Sequence, residues 1–318
     1  MILSSWFFTF LSIAIIILIA IIPITSAASA YPLEENKILE KKGKQNNNSD
    51  NIGVTITNNK TKEIEKLLDT AEEYYISGGH GEAIVYFDRA LAVDANNTDA
   101  ITGKGEVLLE LEKYEEALTY FDRALAVDAN NTDALNNKGV ALSNLGEYED
   151  AMEYYDKALA IDGNDTSVLN NKAMAFYRLG QYYEAMEYYD KALAIDANHT
   201  YALNNKGLAL SKLGQLQEAI ALYDKALEIE PNDTDALNNK GIALYNLGQI
   251  QEAIALYDKV LEIEPNATDA LNNKGLALSD LGQLQEAIAL YDKALEIEPN
   301  YTIALGNKGL ALSKLGQL

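Results

Sequence analysis

The chain has 318 residues, with 48 acidic and 25 basic side chains and a formal net charge of −23. Phosphate-rich partners such as duplex DNA would be repelled by this charge, so nucleic-acid binding is not expected. Because the chain contains no cysteine, disulfides, thiol catalysis and cysteine-ligated zinc are excluded.

The first predicted element is an apolar helix at residues 6–22, WFFTFLSIAIIILIAII, followed by small residues that end in Ala28-Ser29-Ala30. An apolar core before an A-x-A sequence is typical of a secretory signal peptide, although this run is nearly long enough to span a bilayer. Lysines between residues 37 and 44 favour a cytoplasmic location for the remainder of the chain. We interpret residues 1–30 as the signal peptide or signal-anchor of an exported protein. A membrane-anchored chain that faces the cytoplasm is the alternative.

The next segment, residues 31–63, has no apolar periodicity and contains the low-complexity polar run QNNNSDN. Such a composition cannot bury enough apolar surface to form a core. We therefore predict a disordered polar tether.

From residue 64 the sequence repeats every 34 residues, and the stretch 202–232 recurs at 270–300 with one difference, Lys212 against Asp280. Within one unit the apolar spacing predicts helices at about residues 133–145 and 148–161, with Gly146 between them. A helix pair this short buries its apolar faces only when copies stack into a solenoid. The predicted units are 64–97, 98–131, 132–165, 166–199, 200–233, 234–267, 268–301 and a partial unit, 302–318.

Each unit carries a small residue at its eighth place, alanine at its twentieth and an aromatic at its twenty-fourth, as in Gly139, Ala151 and Tyr155. Small residues let paired helices approach closely, and the ring fills the gap beside them. This pattern resembles the tetratricopeptide repeat (TPR) family over residues 64–318. The resemblance implies an all-α, right-handed superhelical solenoid whose concave groove binds proteins or peptides. Leucine replaces the usual bulky aromatic at the fourth place, and the late proline occurs only at Pro231, Pro265 and Pro299.

The partial unit 302–318 contains a first helix without a second one. It either caps the array or shows that the chain is a fragment. A terminal cap needs a polar outer face, and this stretch is no more polar than the internal copies, which favours a fragment.

Paired asparagines at the fifth and sixth places are predicted to face the groove. An asparagine ladder suits an extended peptide because each amide offers a donor and an acceptor; the alternative is that asparagine there is ordinary for the family and serves packing. The apolar ninth place lacks the chaperone-type carboxylate clamp, so a heat-shock protein C-terminus is not expected. The candidate groove residues are Asn136, Asn137, Asn170, Asn171, Asn204, Asn205, Asn238, Asn239, Asn272, Asn273 and Asn307.

Every unit boundary spells Asn-x-Thr, the acceptor pattern for N-glycosylation. A local explanation also exists: asparagine tolerates a left-handed helix end, and threonine can cap the next helix. If the chain is exported, we expect sugars on exposed turns along one edge of the solenoid. The candidate acceptors are Asn47 and Asn59 in the tether and Asn96, Asn130, Asn164, Asn198, Asn232, Asn266 and Asn300 in the array.

No catalytic residue, metal site or cofactor is predicted, because no nucleophile with an adjacent base and no complete calcium or phosphate loop is found. The leading hypothesis is an exported or membrane-tethered scaffold, not itself an enzyme, that binds protein or peptide partners. One alternative is the recognition half of a larger enzyme such as a glycosyltransferase. The other is an adaptor anchored in the membrane and facing the cytoplasm.

Overall fold

The computed structural model describes residues 53–316, and this part of the chain contains fifteen α-helices and no strands. Odd-numbered helices are the first helices of the units, and even-numbered helices are the second helices. In chain order they are α1 (Gly53–Ile76), α2 (His80–Val93), α3 (Thr98–Glu110), α4 (Tyr114–Val127), α5 (Thr132–Asn144), α6 (Tyr148–Ile161), α7 (Thr166–Arg178), α8 (Tyr182–Ile195), α9 (Thr200–Lys212), α10 (Leu216–Ile229), α11 (Thr234–Asn246), α12 (Ile250–Ile263), α13 (Thr268–Asp280), α14 (Leu284–Ile297) and α15 (Thr302–Leu315).

Within a unit, the second helix buries an aromatic ring against the first helix. Tyr155 is 1% exposed, and its ring lies so close to Gly139 that a Cβ added there would come within 2.5 Å of Tyr155 Cε1. Closely packed interiors leave no room for such an overlap, so this place must stay small. Ala151 and Ala158 complete the buried stripe of α6. The predicted roles of the small residue and the ring are confirmed.

Successive units share one continuous core. Leu169 from α7, Tyr189 from α8 and Ala202 from α9 lie in the same buried cluster, so the second helix of one unit is covered by the first helix of the next. Each helix packs against the following one along the whole described stretch. This nearest-neighbour stacking is the all-α solenoid of helix-turn-helix units that the repeat predicts.

The first helix, α1, starts earlier than predicted. It begins at Gly53, so residues 53–63 are helical and the predicted boundary of the tether at residue 63 is wrong. Sequence periodicity missed this extension because adding turns to a helix that already exists needs no buried face. The rest of the predicted tether and the apolar segment at 6–22 lie outside the described residues.

The last helix, α15, packs against α14 and keeps the small residues of a first helix. Its Ala304 and Ala311 are buried, but a Cβ at Gly309 would meet nothing within 4 Å. Leu305 is 49% exposed, whereas Leu271 at the same place of α13 is 1% exposed. The face that a second helix covers in the other units is therefore open on α15, and it is apolar rather than polar.

Candidate functional site

The first helices form the inner side of the stack. First helices of neighbouring units contact each other, whereas second helices of neighbouring units make no such contact within residues 53–316. The units are therefore more closely spaced along their first helices than along their second helices. A solenoid with this asymmetry curves towards the first helices, which line its concave face.

A row of apolar side chains runs along the middle of this concave face. Places are counted within each 34-residue unit, so that Thr132 holds the first place and Val140 the ninth. In the first helices from α3 to α13 the third, fourth, eighth and tenth places are buried, and at 3.6 residues per turn the ninth place points away from all of them. The ninth-place side chains of five consecutive units are nonetheless apolar and only half-buried. We call them the apolar row: Val140, Met174, Leu208, Ile242 and Leu276.

One edge of the concave face is acidic. The second place, which lies near the beginning of each first helix and on the same side as the ninth, carries an exposed or half-buried aspartate in four units. We call these residues the acidic rim: Asp99, Asp133, Asp235 and Asp269. The thirteenth place forms the opposite edge and is mixed in charge, with Arg178, Lys212 and Asp280 among its members.

Negative charge is concentrated where two rim residues lie close together. The pKa of Asp235 is raised, first because the carboxylate loses hydration and then because Asp233, Glu264 and Asp269 repel its charge. Loss of hydration and Glu298 also raise the pKa of Asp269, although the Tyr301 hydroxyl donates a hydrogen bond that opposes this effect. Loss of hydration leads both shifts, and neighbouring carboxylates add repulsion to each of them.

The predicted groove asparagines lie beside the apolar row, and they bond chiefly to one another. In five neighbouring pairs of units the sixth-place amide donates to the fifth-place carbonyl of the unit before it, as Asn205 Nδ2 does to Asn170 Oδ1 at 3.1 Å. The other four donor–acceptor pairs are Asn171–Asn136, Asn239–Asn204, Asn273–Asn238 and Asn307–Asn272, at 2.9–3.1 Å.

Two further observations define what this ladder can do. Asn137 donates instead to Glu106 Oε1 at 2.8 Å, because the unit before it has threonine at the fifth place. Asn170, Asn171, Asn204, Asn205, Asn272 and Asn273 are buried, whereas Asn136, Asn137, Asn238, Asn239 and Asn307 are half-buried. The ladder thus joins units together, and its half-buried members border the groove.

The lysine that follows each asparagine pair joins units as well, a role that was not predicted from the sequence. It pairs with an aspartate at the twenty-fifth place of the preceding second helix. The signal was present in the sequence as an aspartate and a lysine sixteen residues apart in every unit. Across the described units the pairs are Lys104–Asp88, Lys138–Asp122, Lys172–Asp156, Lys206–Asp190, Lys240–Asp224, Lys274–Asp258 and Lys308–Asp292.

The sequon asparagines of the array are all exposed and lie in the turns between units. The Asn130 backbone N–H donates to the Asp128 carboxylate at 2.9 Å, which fixes the turn. In the described stretch, Glu112 is the one residue other than glycine with a positive φ. None of the sequon asparagines therefore adopts the left-handed conformation expected at a helix end, and that prediction is wrong. The exposed acceptors are Asn96, Asn130, Asn164, Asn198, Asn232, Asn266 and Asn300.

The helix cap is also provided by a different residue from the one expected. The middle residue of the sequon is the N-cap, and Asn131 Oδ1 accepts from the Ala134 N–H at 2.8 Å. The threonine comes one residue later and is already helical; Thr234 donates to Glu264 Oε1 at 2.7 Å. Of the two sequons predicted in the tether, Asn59 lies within α1, and Asn47 lies outside the described residues.

Family models identify the repeat from which this architecture is built. One tetratricopeptide repeat model matches residues 68–131, 102–166 and 238–302, and a second matches residues 167–199 and 200–233. The chain belongs to the tetratricopeptide repeat family. Proteins built from TPR arrays act as scaffolds for protein–protein or protein–peptide interactions, and this is the coarse function that family and fold assign to the chain.

Solved TPR structures share the fold. A tetratricopeptide repeat protein from Parabacteroides merdae matches with a TM-score of 0.63 at 18% identity, over 79% of this chain and 99% of its own. A chain of the APC/C hetero-tetramer Cut9–Hcn1 matches with a TM-score of 0.69 at 19% identity, over 81% of this chain and 52% of its own. PilF of Pseudomonas aeruginosa matches with a TM-score of 0.57 at 21% identity, over 67% of this chain and 96% of its own. No curated protein matches the sequence.

Metal-binding and membrane-spanning features are absent from the described part of the TPR array. Among these residues, no group of three or more histidine, aspartate or glutamate side chains is placed to hold a metal ion. No helix between residues 53 and 316 combines the length and the apolar character needed to cross a bilayer.

Proposed function

We propose that this TPR protein is an exported or membrane-tethered scaffold that binds a segment of a partner protein along the apolar row. The observation that carries the proposal is the apolar row itself. Its five side chains occupy the middle of a face that no helix of residues 53–316 covers, and contiguous exposed apolar surface is characteristic of interaction sites.

The asparagine ladder supports this function in two ways. Its buried bonds hold neighbouring first helices in register, so the apolar row is presented as a fixed line. The half-buried side chains of Asn136 and Asn238 border that line, and an amide can bond to the backbone of a bound segment. This second role keeps the asparagines as candidate binding residues.

Site-specific photo-crosslinking in the native cells tests the binding face. A benzoylphenylalanine at Leu208, in the apolar row, should form adducts with a partner protein. The matched control replaces Ile229, which is exposed at the end of α10 on the outer side of the same unit. Equal adduct formation from both positions, or none from Leu208, would contradict the proposal.

Export is supported by the apolar segment at residues 6–22 and by the exposure of the seven array sequons. We propose that several of these asparagines carry sugars. Protease treatment of intact cells should cleave the array if it is exported, and enzymatic or chemical deglycosylation should increase its gel mobility. Asn232→Gln should remove part of that shift. An array that is protected in intact cells would favour the adaptor facing the cytoplasm, and unchanged mobility after deglycosylation would leave the sequons as turns.

A further inference from the structure

We propose that the segment bound along the apolar row is basic as well as apolar, with lysine or arginine residues that lie against the acidic rim at both ends of the groove. This inference rests on the proposed function and adds the chemistry of the partner. The occupant is a peptide segment with Leu, Ile, Val or Met side chains along the apolar row and cationic side chains near its two ends.

The row and the rim are near enough for one segment to contact both. The second and ninth places are seven residues apart on the same helix, which corresponds to roughly 10 Å along the axis at 1.5 Å per residue. On a helical wheel they differ by only about 20°, so both face the groove. A long lysine or arginine side chain can reach the rim while its apolar neighbours rest on the row.

Three of the rim carboxylates have no cation of their own. Asp99, Asp235 and Asp269 form no ion pair with a lysine or arginine within residues 53–316. The nearby seventh-place lysines, such as Lys240 and Lys274, are already paired with Asp224 and Asp258 of the preceding second helices. A lysine or arginine of a bound segment would therefore displace no existing lysine or arginine at these three carboxylates.

The two ends of the rim differ from its middle. Asp99 and Asp133 lie at one end and Asp235 and Asp269 at the other, while Ser167 and Tyr201 separate them. Loss of hydration is the first cause of the raised pKa of Asp235, and repulsion by Asp233, Glu264 and Asp269 adds to it. A bound cation would relieve that repulsion. The middle units instead carry Arg178 and Lys212 on the opposite edge. A uniformly cationic segment would fit this centre less well than one with its basic residues near its ends.

Selection from a displayed library of random 16-residue peptides on the full chain tests the inference. Enriched peptides should combine aliphatic residues with lysine or arginine. The Asp99→Asn/Asp235→Asn variant should weaken binding of an enriched peptide about three- to tenfold at low salt, and the loss should shrink as sodium chloride screens the charges. The matched control is Glu218→Gln/Glu252→Gln, which removes the same charge from the first turns of α10 and α12 and should leave affinity unchanged.

The outcomes separate this inference from the function on which it rests. Enrichment of acidic or uncharged peptides, failure to enrich any peptide, or equal effects of the two double variants would overturn the basic chemistry. Leu208→Ser should weaken every groove-bound peptide whatever its charge. If Leu208→Ser has no effect on any selected peptide, the proposed binding face is wrong as well.

Discussion

A single asparagine amide joins one unit to the next. Asn205 and Asn170 are both buried, and the bond between them runs along the floor of the concave face. A buried hydrogen bond contributes about 0.5–1.5 kcal/mol, but removing one partner costs more because the other group stays buried with fewer bonds. Replacing one ladder asparagine should therefore cost more stability than the energy of a single hydrogen bond suggests.

We predict that Asn205→Ala lowers the free energy of unfolding by about 1–3 kcal/mol, since it leaves the buried Asn170 carbonyl with one donor fewer. Urea denaturation followed by circular dichroism measures the change. Asn246→Ala is the control: this asparagine is exposed at the thirteenth place, and its replacement should change stability by less than about 0.5 kcal/mol. Equal effects would mean that the ladder bonds contribute nothing.

The beginnings of the first helices differ from unit to unit. Asn97, Asn131 and Asp233 each accept a hydrogen bond from a backbone N–H of the first turn. At the corresponding place, α13 has Ala267 and α15 has Tyr301, and neither makes a side-chain cap. The helices α13 and α15 therefore begin without an N-cap hydrogen bond. The capped helices show that the backbone geometry at this place permits one.

Ala267→Asn should stabilise the protein by about 1 kcal/mol, the typical value of an N-cap that replaces alanine. Asparagine adds no charge, and the Asn266 sequon is kept. Ala197→Asn, placed in the turn outside the cap position, serves as the control and should have little effect. Thermal unfolding of the two variants beside the parent protein tests this expectation; a gain shared by both would indicate a turn effect rather than a cap.

The sequence could predict the helices themselves because their apolar periodicity is strong. The second helix of unit 132–165 was predicted at 148–161, which is the span of α6, and the first differs by one residue at each end. The caps were misassigned because threonine and its preceding residue are both plausible caps, and only backbone geometry distinguishes them. The ladder bonds join residues 35 positions apart and the ion pairs join residues 16 apart, so neither follows from the spacing within one helix.

The candidate site was only partly predictable for a related reason. The repeat placed the asparagines on the first helices, but it did not show whether their amides face a ligand or each other. From the sequence, the apolar ninth place indicated only the absence of a carboxylate clamp. Its position opposite the buried face of the helix, in five consecutive units, makes it the centre of the groove.

At the scale of the whole molecule, each unit is stabilised by its contacts with the neighbouring units. The interfaces repeat a small set of contacts: a ring against a small residue within a unit and a lysine–aspartate pair to the preceding second helix. From α3 onwards, a sixth-place asparagine also bonds neighbouring first helices together. In such an array every internal unit is held on both sides, whereas a terminal helix is held on one side. Local opening should therefore start at the less covered end.

We predict that α15 is the least protected helix of residues 60–316 in hydrogen–deuterium exchange. Its Leu305 is exposed, and no ring packs against Gly309, whereas Gly275 in the otherwise similar helix α13 lies against Tyr291. Peptides from α13 and α15 can be compared in one mass-spectrometry experiment on the 318-residue chain. Amides of α15 should exchange at least about tenfold faster, because an opening free energy lower by about 1.4 kcal/mol corresponds to a tenfold larger open population. Equal protection of the two helices would show that another surface covers α15 in solution, and that its apolar face is already occupied.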